Sequence, residues 1–292
     1  MLGQLALTGG ADQIPIWHAV VLGVVQGLSE FLPISSSGHL ILVPWLFGWD
    51  ELTGAANADL NRTFDVALHV GTLLGVVLYF RTELVRLAKA AWTSLRRRSI
   101  REPDERLAWM LALSALPGAT VGAVLEATVA DHLSQIWLIG TLLIVGAVIL
   151  YVADRSAGRR QVTEFRARDA LIMGTAQACA LAPGLSRSGI TMSVGRFIGF
   201  DRVSVATISF LMSVPITAGA CLYQGAKVAS EGGLPPGTGG AFLAGVVASG
   251  VTGAAAIWLV LRVVKTSTFT PFVIYRVGAG SAVLILLATG FR

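Results

Sequence analysis

The chain has 292 residues, 54% of them apolar and only 13% charged, with a mean hydropathy of +0.71. Soluble domains carry roughly 25% charged residues, so composition excludes that class, and no Pro/Ser-rich linker divides the chain: residues 1–292 read as a single membrane domain. The net charge of +5 points to no nucleic-acid partner, because 13 of the 22 basic residues fall in two connecting segments, 81–106 and 155–168, and basic loops of a membrane protein mark its cytoplasmic face.

The N-terminus has neither a basic n-region nor an A-x-A site, so no cleaved signal peptide is expected. The first apolar stretch, residues 14–48, is interrupted at LPISSSGH (Leu32 to His39). Irregular backbone at membrane depth must line a polar cavity inside protein, since lipid cannot satisfy its N–H and C=O groups. The stretch therefore reads as a re-entrant hairpin. Full spans need about 20 apolar residues, and 63–80, 107–127 and 135–153 qualify. A second interrupted stretch, 169–200, is broken at APGLSRSGIT (Ala182 to Thr191). Spans at 204–224, 240–261 and 272–290 complete the chain. The connections 81–106, 154–168 and 262–276 hold eight, five and three Lys or Arg residues, whereas 49–62, 128–134 and 225–239 hold one (Arg62), none and one (Lys227). Such alternation puts the first set in the cytoplasm. The first hairpin then enters from outside and the second from the cytoplasm. The fold class expected is all-α and polytopic: six transmembrane helices plus two re-entrant hairpins.

The hairpins are also related in sequence. A constant offset of 151 pairs Gly23 with Gly174, Gln26 with Gln177, Ser35 with Ser186, Ser37 with Ser188 and Gly38 with Gly189, while Pro33 and Pro183 miss that register by one. Similar segments of opposite entry are the mark of an inverted-topology repeat, with a site near the midplane. Residues 14–127 and 169–261 are its approximate halves.

Ionisable groups inside a bilayer are costly and functional by default, and Glu30, His39 and Arg187 all lie in the hairpins. Gln26 and Glu30, at i and i+4, share a helix face. Arg187 supplies a planar fork for phosphate oxygens, and PGLSRSG offers loop N–H groups at a helix start, an anion cradle. Ser186, Ser188 and Thr191 add hydroxyls, and residues Ser35 to Gly38 offer a matching set. A carboxylate beside an anion site implies a divalent metal or acid/base chemistry. Mg²⁺ on Glu30 and Gln26 is the expectation preferred here, with Ca²⁺ as an alternative.

QGLSEFLPISSSGH (Gln26 to His39) and PGLSRSGIT (Pro183 to Thr191) closely resemble the two signature motifs of bacitracin-resistance-type undecaprenyl-pyrophosphate phosphatases. FDVALHVGTLLGVV (Phe64 to Val77), the run from Ser209 to Gly219, and TPFVIYR (Thr270 to Arg276) extend the resemblance over nearly the whole chain. It implies hydrolysis of undecaprenyl pyrophosphate to undecaprenyl phosphate and orthophosphate, recycling the carrier lipid for cell-wall synthesis. It also implies a divalent cation, bacitracin resistance on overproduction, and a bacterial plasma-membrane location with the site open to the outer side. Carried over by motif, Glu30, Ser36, His39 and Arg187 are the catalytic candidates. Gln26, Ser35, Ser37, Ser186, Ser188, Gly189 and Thr191 are the substrate-binding ones, and Glu30 and Gln26 the metal ligands. Position 26 departs from relatives that have Glu there, which leaves one carboxylate in that pair. The nucleophile stays open among Ser36 deprotonated by His39, His39 itself, and water.

A secondary transporter or flippase of a phosphorylated lipid is the rival reading, since transporters are built from inverted repeats. Besides the lipid substrate, the expected partners are membrane lipids and, on base rates, a second copy in a homodimer. Trp17, Trp45, Trp49, Trp92, Trp109 and Trp137 read as interfacial anchors, as do His18 and His132. His69, inside a span after Asp65, reads as a buried structural histidine in preference to one facing the cavity, and Trp258 has no role in this reading. Cys179 and Cys221 read as small apolar fillers.

Overall fold

Where the apolar run continues for about 20 residues a single helix forms, and where Ser, Gly and Pro interrupt it the helix breaks in two. The computed structural model describes residues 14–49, 58–231 and 233–291. Among them are eleven α-helices: α1 (Ile16–Phe31), α2 (Ser36–Phe47), α3 (Ala58–Tyr79), α4 (Arg81–Arg97), α5 (Pro103–Leu133), α6 (Ile136–Asp154), α7 (Ala167–Cys179), α8 (Arg187–Phe197), α9 (Arg202–Ser230), α10 (Gly239–Thr266) and α11 (Thr270–Ala288). Six of them, α3, α5, α6, α9, α10 and α11, are long and apolar enough to cross a membrane, and they coincide with the six expected spans. The chain is a multi-pass helical membrane protein. The two interrupted stretches are the short pairs α1–α2 and α7–α8.

Most of the expected basic connection 81–106 is instead the helix α4. Its Leu87 and Ser94, two turns apart, face inward, whereas Val85, Trp92 and Leu95 are exposed. Polar contacts strap it to α5: Trp109 Nε1 donates to Ser94 Oγ at 2.8 Å, Arg86 pairs with Asp104 at 2.8 Å, and Arg97 pairs with Glu105. Charge density hid an amphipathic helix. Trp109 is thus a structural donor rather than a free anchor.

The 151-residue offset has a structural counterpart. It separates the starts of α1 and α7, and also those of α2 and α8. The residues before α2 and α8, Ser35 and Ser186, both take positive φ (80° and 71°), and each side chain accepts from a glycine N–H three residues on, Gly38 or Gly189. Gly23 of α1 and Gly174 of α7 mark close backbone approaches: a Cβ on Gly23 would lie 2.5 Å from the Gly245 carbonyl of α10, and one on Gly174 would collide with the Ser114 carbonyl of α5. Small residues let membrane helices approach this closely. Packing is swapped accordingly, α1 against α10 and α7 against α5, while α6 packs on α11 and α3 on α9. Beneath the junction of the pairs lies the main apolar core, with Phe31 of α1 edge-on to Phe210 of α9 at 5.4 Å.

Other single-residue expectations resolve variously. Trp17, Trp92 and Trp137 are exposed, as anchors require, but Trp49 is buried and stacks on His18 at 3.8 Å. Trp258 is exposed, with the Arg262 guanidinium 5.5 Å from its ring centre. The side chain of His132 lies outside the described residues.

Candidate active site

Two helix starts meet on one carboxylate. Ser36 is the first residue of α2 and Arg187 the first of α8. Ser36 Oγ donates to Glu30 Oε2 at 2.5 Å, and Arg187 donates to Glu30 Oε1 at 2.7 Å. Gln26 Nε2 donates to Glu30 Oε2 at 3.2 Å from one turn earlier on α1, the i,i+4 geometry expected. Helix N-termini carry partial positive charge and N–H groups that the helix cannot satisfy internally, so Glu30 sits where two such ends and a guanidinium converge. The ion pair is largely buried: the side chains of Glu30 and Arg187 are 6% and 16% exposed.

The tips are tied to each other. Ser35 Oγ accepts from Gly38 of its own helix and from Gly184 of the opposite hairpin, at 3.4 and 3.0 Å. Ser188 Oγ reaches back to the Leu32 carbonyl at 3.2 Å. Ser186 Oγ accepts from Gly189 N at 3.1 Å and lies 3.3 Å from Ser188 Oγ. Thr191 Oγ1 donates to the Arg187 carbonyl at 2.8 Å and shares a 2.6 Å bond with Ser209 Oγ on α9. These hydroxyls therefore hold the backbone that presents Ser36 and Arg187. Among the described residues Ser37 makes no side-chain hydrogen bond.

His39 is oriented at both nitrogens. Nδ1 is 2.7 Å from the Ser35 carbonyl and Nε2 is 2.8 Å from the Tyr275 hydroxyl. A carbonyl can only accept, so Nδ1 carries a proton, and in the neutral ring Nε2 accepts from Tyr275. Ser36 bonds to Glu30 rather than to His39.

Three contributors lie outside the expected set of site residues. Arg276 is fully buried, and its five hydrogen bonds all go to carbonyls: Pro33 of the first tip, Gly184 and Leu185 of the second, and Leu142 and Leu143 of α6, at 2.9 to 3.3 Å. It clamps both tips to α6 with no carboxylate partner among the described residues. Tyr275, its neighbour, orients His39. Both lie in TPFVIYR, where an arginine inside an apolar run was the available signal. The third is His69, whose Nδ1 bonds the Asp65 carbonyl at 2.7 Å while Nε2 faces Glu30 Oε2 at 3.7 Å. It makes the expected backbone bond and faces the polar centre as well.

Fold and site together define a multi-pass helical membrane protein whose two broken helix pairs bring two guanidiniums, a buried glutamate and many hydroxyls together. The chain belongs to the bacitracin resistance protein BacA family, whose profile matches residues 19–282. It is 43% identical over 275 residues to the undecaprenyl-diphosphatase of Pelobacter propionicus, an alignment covering 94% of this chain and 97% of that relative. The undecaprenyl-diphosphatases of Desulforudis audaxviator (43% over 272 residues, 92% of this chain and 97% of theirs) and Geobacter sulfurreducens (42% over 274 residues, 93% and 98%) are similarly close.

Proposed function

We propose that this protein is an undecaprenyl-diphosphatase of the bacterial plasma membrane, hydrolysing the lipid diphosphate to undecaprenyl phosphate and orthophosphate at a site open to the outer side. The observation that carries this reading is the convergence of two helix starts and the Arg187 guanidinium on Glu30 beside the Ser36 hydroxyl. Near-full-length similarity to relatives of that name supports it. A diphosphate bound there competes with Glu30 for Arg187 and the helix ends, and the prenyl tail stays in lipid.

In this reading Ser36 Oγ attacks the terminal phosphorus as its proton passes to Glu30 Oε2, the group it already bonds. The bridging P–O bond breaks and prenyl phosphate leaves. Water then cleaves the phosphoserine, releasing orthophosphate and returning the proton to Ser36. Arg187 and the helix N–H groups offset charge on the transferred phosphoryl group, and Ser186, Ser188, Gly189 and Thr191 hold them in place. His39, with both nitrogens engaged, orients the first tip through Ser35.

Gln26 Oε1 is buried without a hydrogen-bond partner, which suits a ligand position. Among the described residues no group of three or more His, Cys, Asp or Glu side chains could hold a metal ion. A divalent cation, Mg²⁺ or alternatively Ca²⁺, would be held by Glu30 and Gln26 together with substrate oxygens, where it would supply further charge neutralisation.

The two broken pairs are read as re-entrant hairpins of an inverted-topology repeat. The common 151-residue offset of the helix starts and the swapped packing of α1 on α10 and α7 on α5 support this. The same architecture favours a second reading, a transporter or flippase of a phosphorylated lipid. Purified protein in detergent, where no vectorial transport exists, should release orthophosphate from a long-chain prenyl diphosphate; no release would leave only the transporter. Rapid quenching with labelled substrate should trap phosphate on the wild type but not on Ser36→Ala. Label retained by Ser36→Ala would assign the nucleophile elsewhere.

A further inference from the structure

Beyond the hairpin centre, a charged cavity lies at the other end of α8. It measures about 940 Å³ and is lined by the adjoining ends of α6, α8, α9, α10 and α11. Its charged lining is Arg155, Arg196, Arg202 and Lys265 against Asp154 and Asp201, four cations and two carboxylates. Both carboxylates are committed. Asp154 accepts from Arg202 Nε at 2.5 Å and from the Phe269 N–H at 2.9 Å. Asp201 caps α9 through the Ser204 N–H and hydroxyl at 2.7 and 3.0 Å.

The other three cations have no carboxylate within ion-pair distance among the described residues. Arg196 is only 4% exposed, and among the described residues it donates only to the carbonyls of Phe200, Asp154 and Ser156 while its Nε has no partner. Arg155 bonds the Tyr151 hydroxyl and lies over that ring, and Lys265 is exposed with no polar partner among the described residues. A buried guanidinium left with carbonyls alone is costly, and a concave wall with excess positive charge concentrates anions. Guanidinium forks match phosphate oxygens in particular. The basic connections 154–168 and 262–276 place this cavity at the cytoplasmic membrane surface, where pockets of this composition between helices receive phosphate headgroups.

We propose that this cavity binds a phosphate group through Arg155, Arg196 and Lys265, at a site separate from the Glu30 centre. The phosphate comes either from the headgroup of an anionic phospholipid or from soluble orthophosphate. The site has leverage on the active centre. Arg196 and Arg187 sit on the same helix, about 14 Å apart along its axis at 1.5 Å per residue. Asp154 in the cavity wall holds the first turn of α11, the helix that carries Tyr275 and Arg276. An occupied cavity steadies both helices.

The test compares wild type with the Arg155→Gln/Lys265→Gln double variant in nonionic detergent, by native mass spectrometry and thermal unfolding. Both side chains are exposed, so the double variant should fold. Each protein is titrated separately with short-chain phosphatidylglycerol and with sodium phosphate. The expected result is that at least one ligand binds the wild type and raises its unfolding temperature, and binds the double variant about tenfold more weakly. Whichever ligand shows that difference identifies the source. Binding of neither ligand to the wild type, or equal binding to both proteins, overturns the proposal.

Discussion

Glu30 accepts from Arg187, Ser36 and Gln26 at once, with Arg187 largely buried beside it. Removing either charge leaves the other uncompensated, at a cost of about 3–5 kcal/mol, so loss of activity in Glu30→Ala would confuse chemistry with folding. Arg187→Lys is the cleaner probe. It keeps the charge but loses the planar fork, and orthophosphate release should fall by about 10²-fold or more with little change in unfolding temperature. Near-normal turnover would remove Arg187 from the anion site. Arg276 makes the opposite case. Arg276→Met leaves five buried carbonyls without their donor, each worth about 1–3 kcal/mol. It should lower the unfolding temperature sharply, and Arg276→Lys should recover part of the loss. An unchanged unfolding temperature in Arg276→Met would mean that the tips do not depend on this clamp.

At the level of elements, the hairpins depend on close helix crossings. A methyl group on Gly23 meets the Gly245 carbonyl, and one on Gly174 meets the Ser114 carbonyl, in both cases backbone that cannot swing aside. Gly23→Ala and Gly174→Ala should each destabilise by about 1–3 kcal/mol. Gly219→Ala on α9, where nothing among the described residues lies within 4 Å, should be neutral or stabilise by about 0.4–1 kcal/mol. Thermal unfolding of the three variants in detergent checks the contrast; equal effects would show that the crossings are not tight. The breaks themselves were legible because lipid penalises free backbone groups wherever they occur, so Ser35 and Ser186 announce their turns locally. The helix α4 was not legible, since a segment holding eight of the 22 Lys and Arg residues reads as a loop until one side is known to be covered.

For the whole molecule, the alternation of basic and non-basic connections predicts sidedness. With Cys179 and Cys221 replaced by alanine, a cysteine at Arg98 should react only from the cytoplasmic side of sealed vesicles and one at Glu231 only from the outside. Labelling from the same side would break the topology and, with it, the outward-facing site. The cytoplasmic phosphate cavity and the hairpin centre then sit at opposite ends of α8, one helix linking a surface site to the chemistry.

The sequence by itself determined where the chain crosses the membrane, where it cannot remain helical, and which residue types stand at those breaks. These are local consequences of apolar length and of backbone groups that must be satisfied. It brought Gln26, Glu30, Ser36 and Arg187 into consideration together because motif and repeat placed them at two tips. Only the tertiary structure decided who bonds to whom. Ser36 turned to Glu30 instead of His39, His39 found Tyr275 across 236 positions, and Arg276 joined carbonyls of three elements. Those choices depend on the angle and depth at which helices distant in the chain cross, and hydropathy carries no record of either.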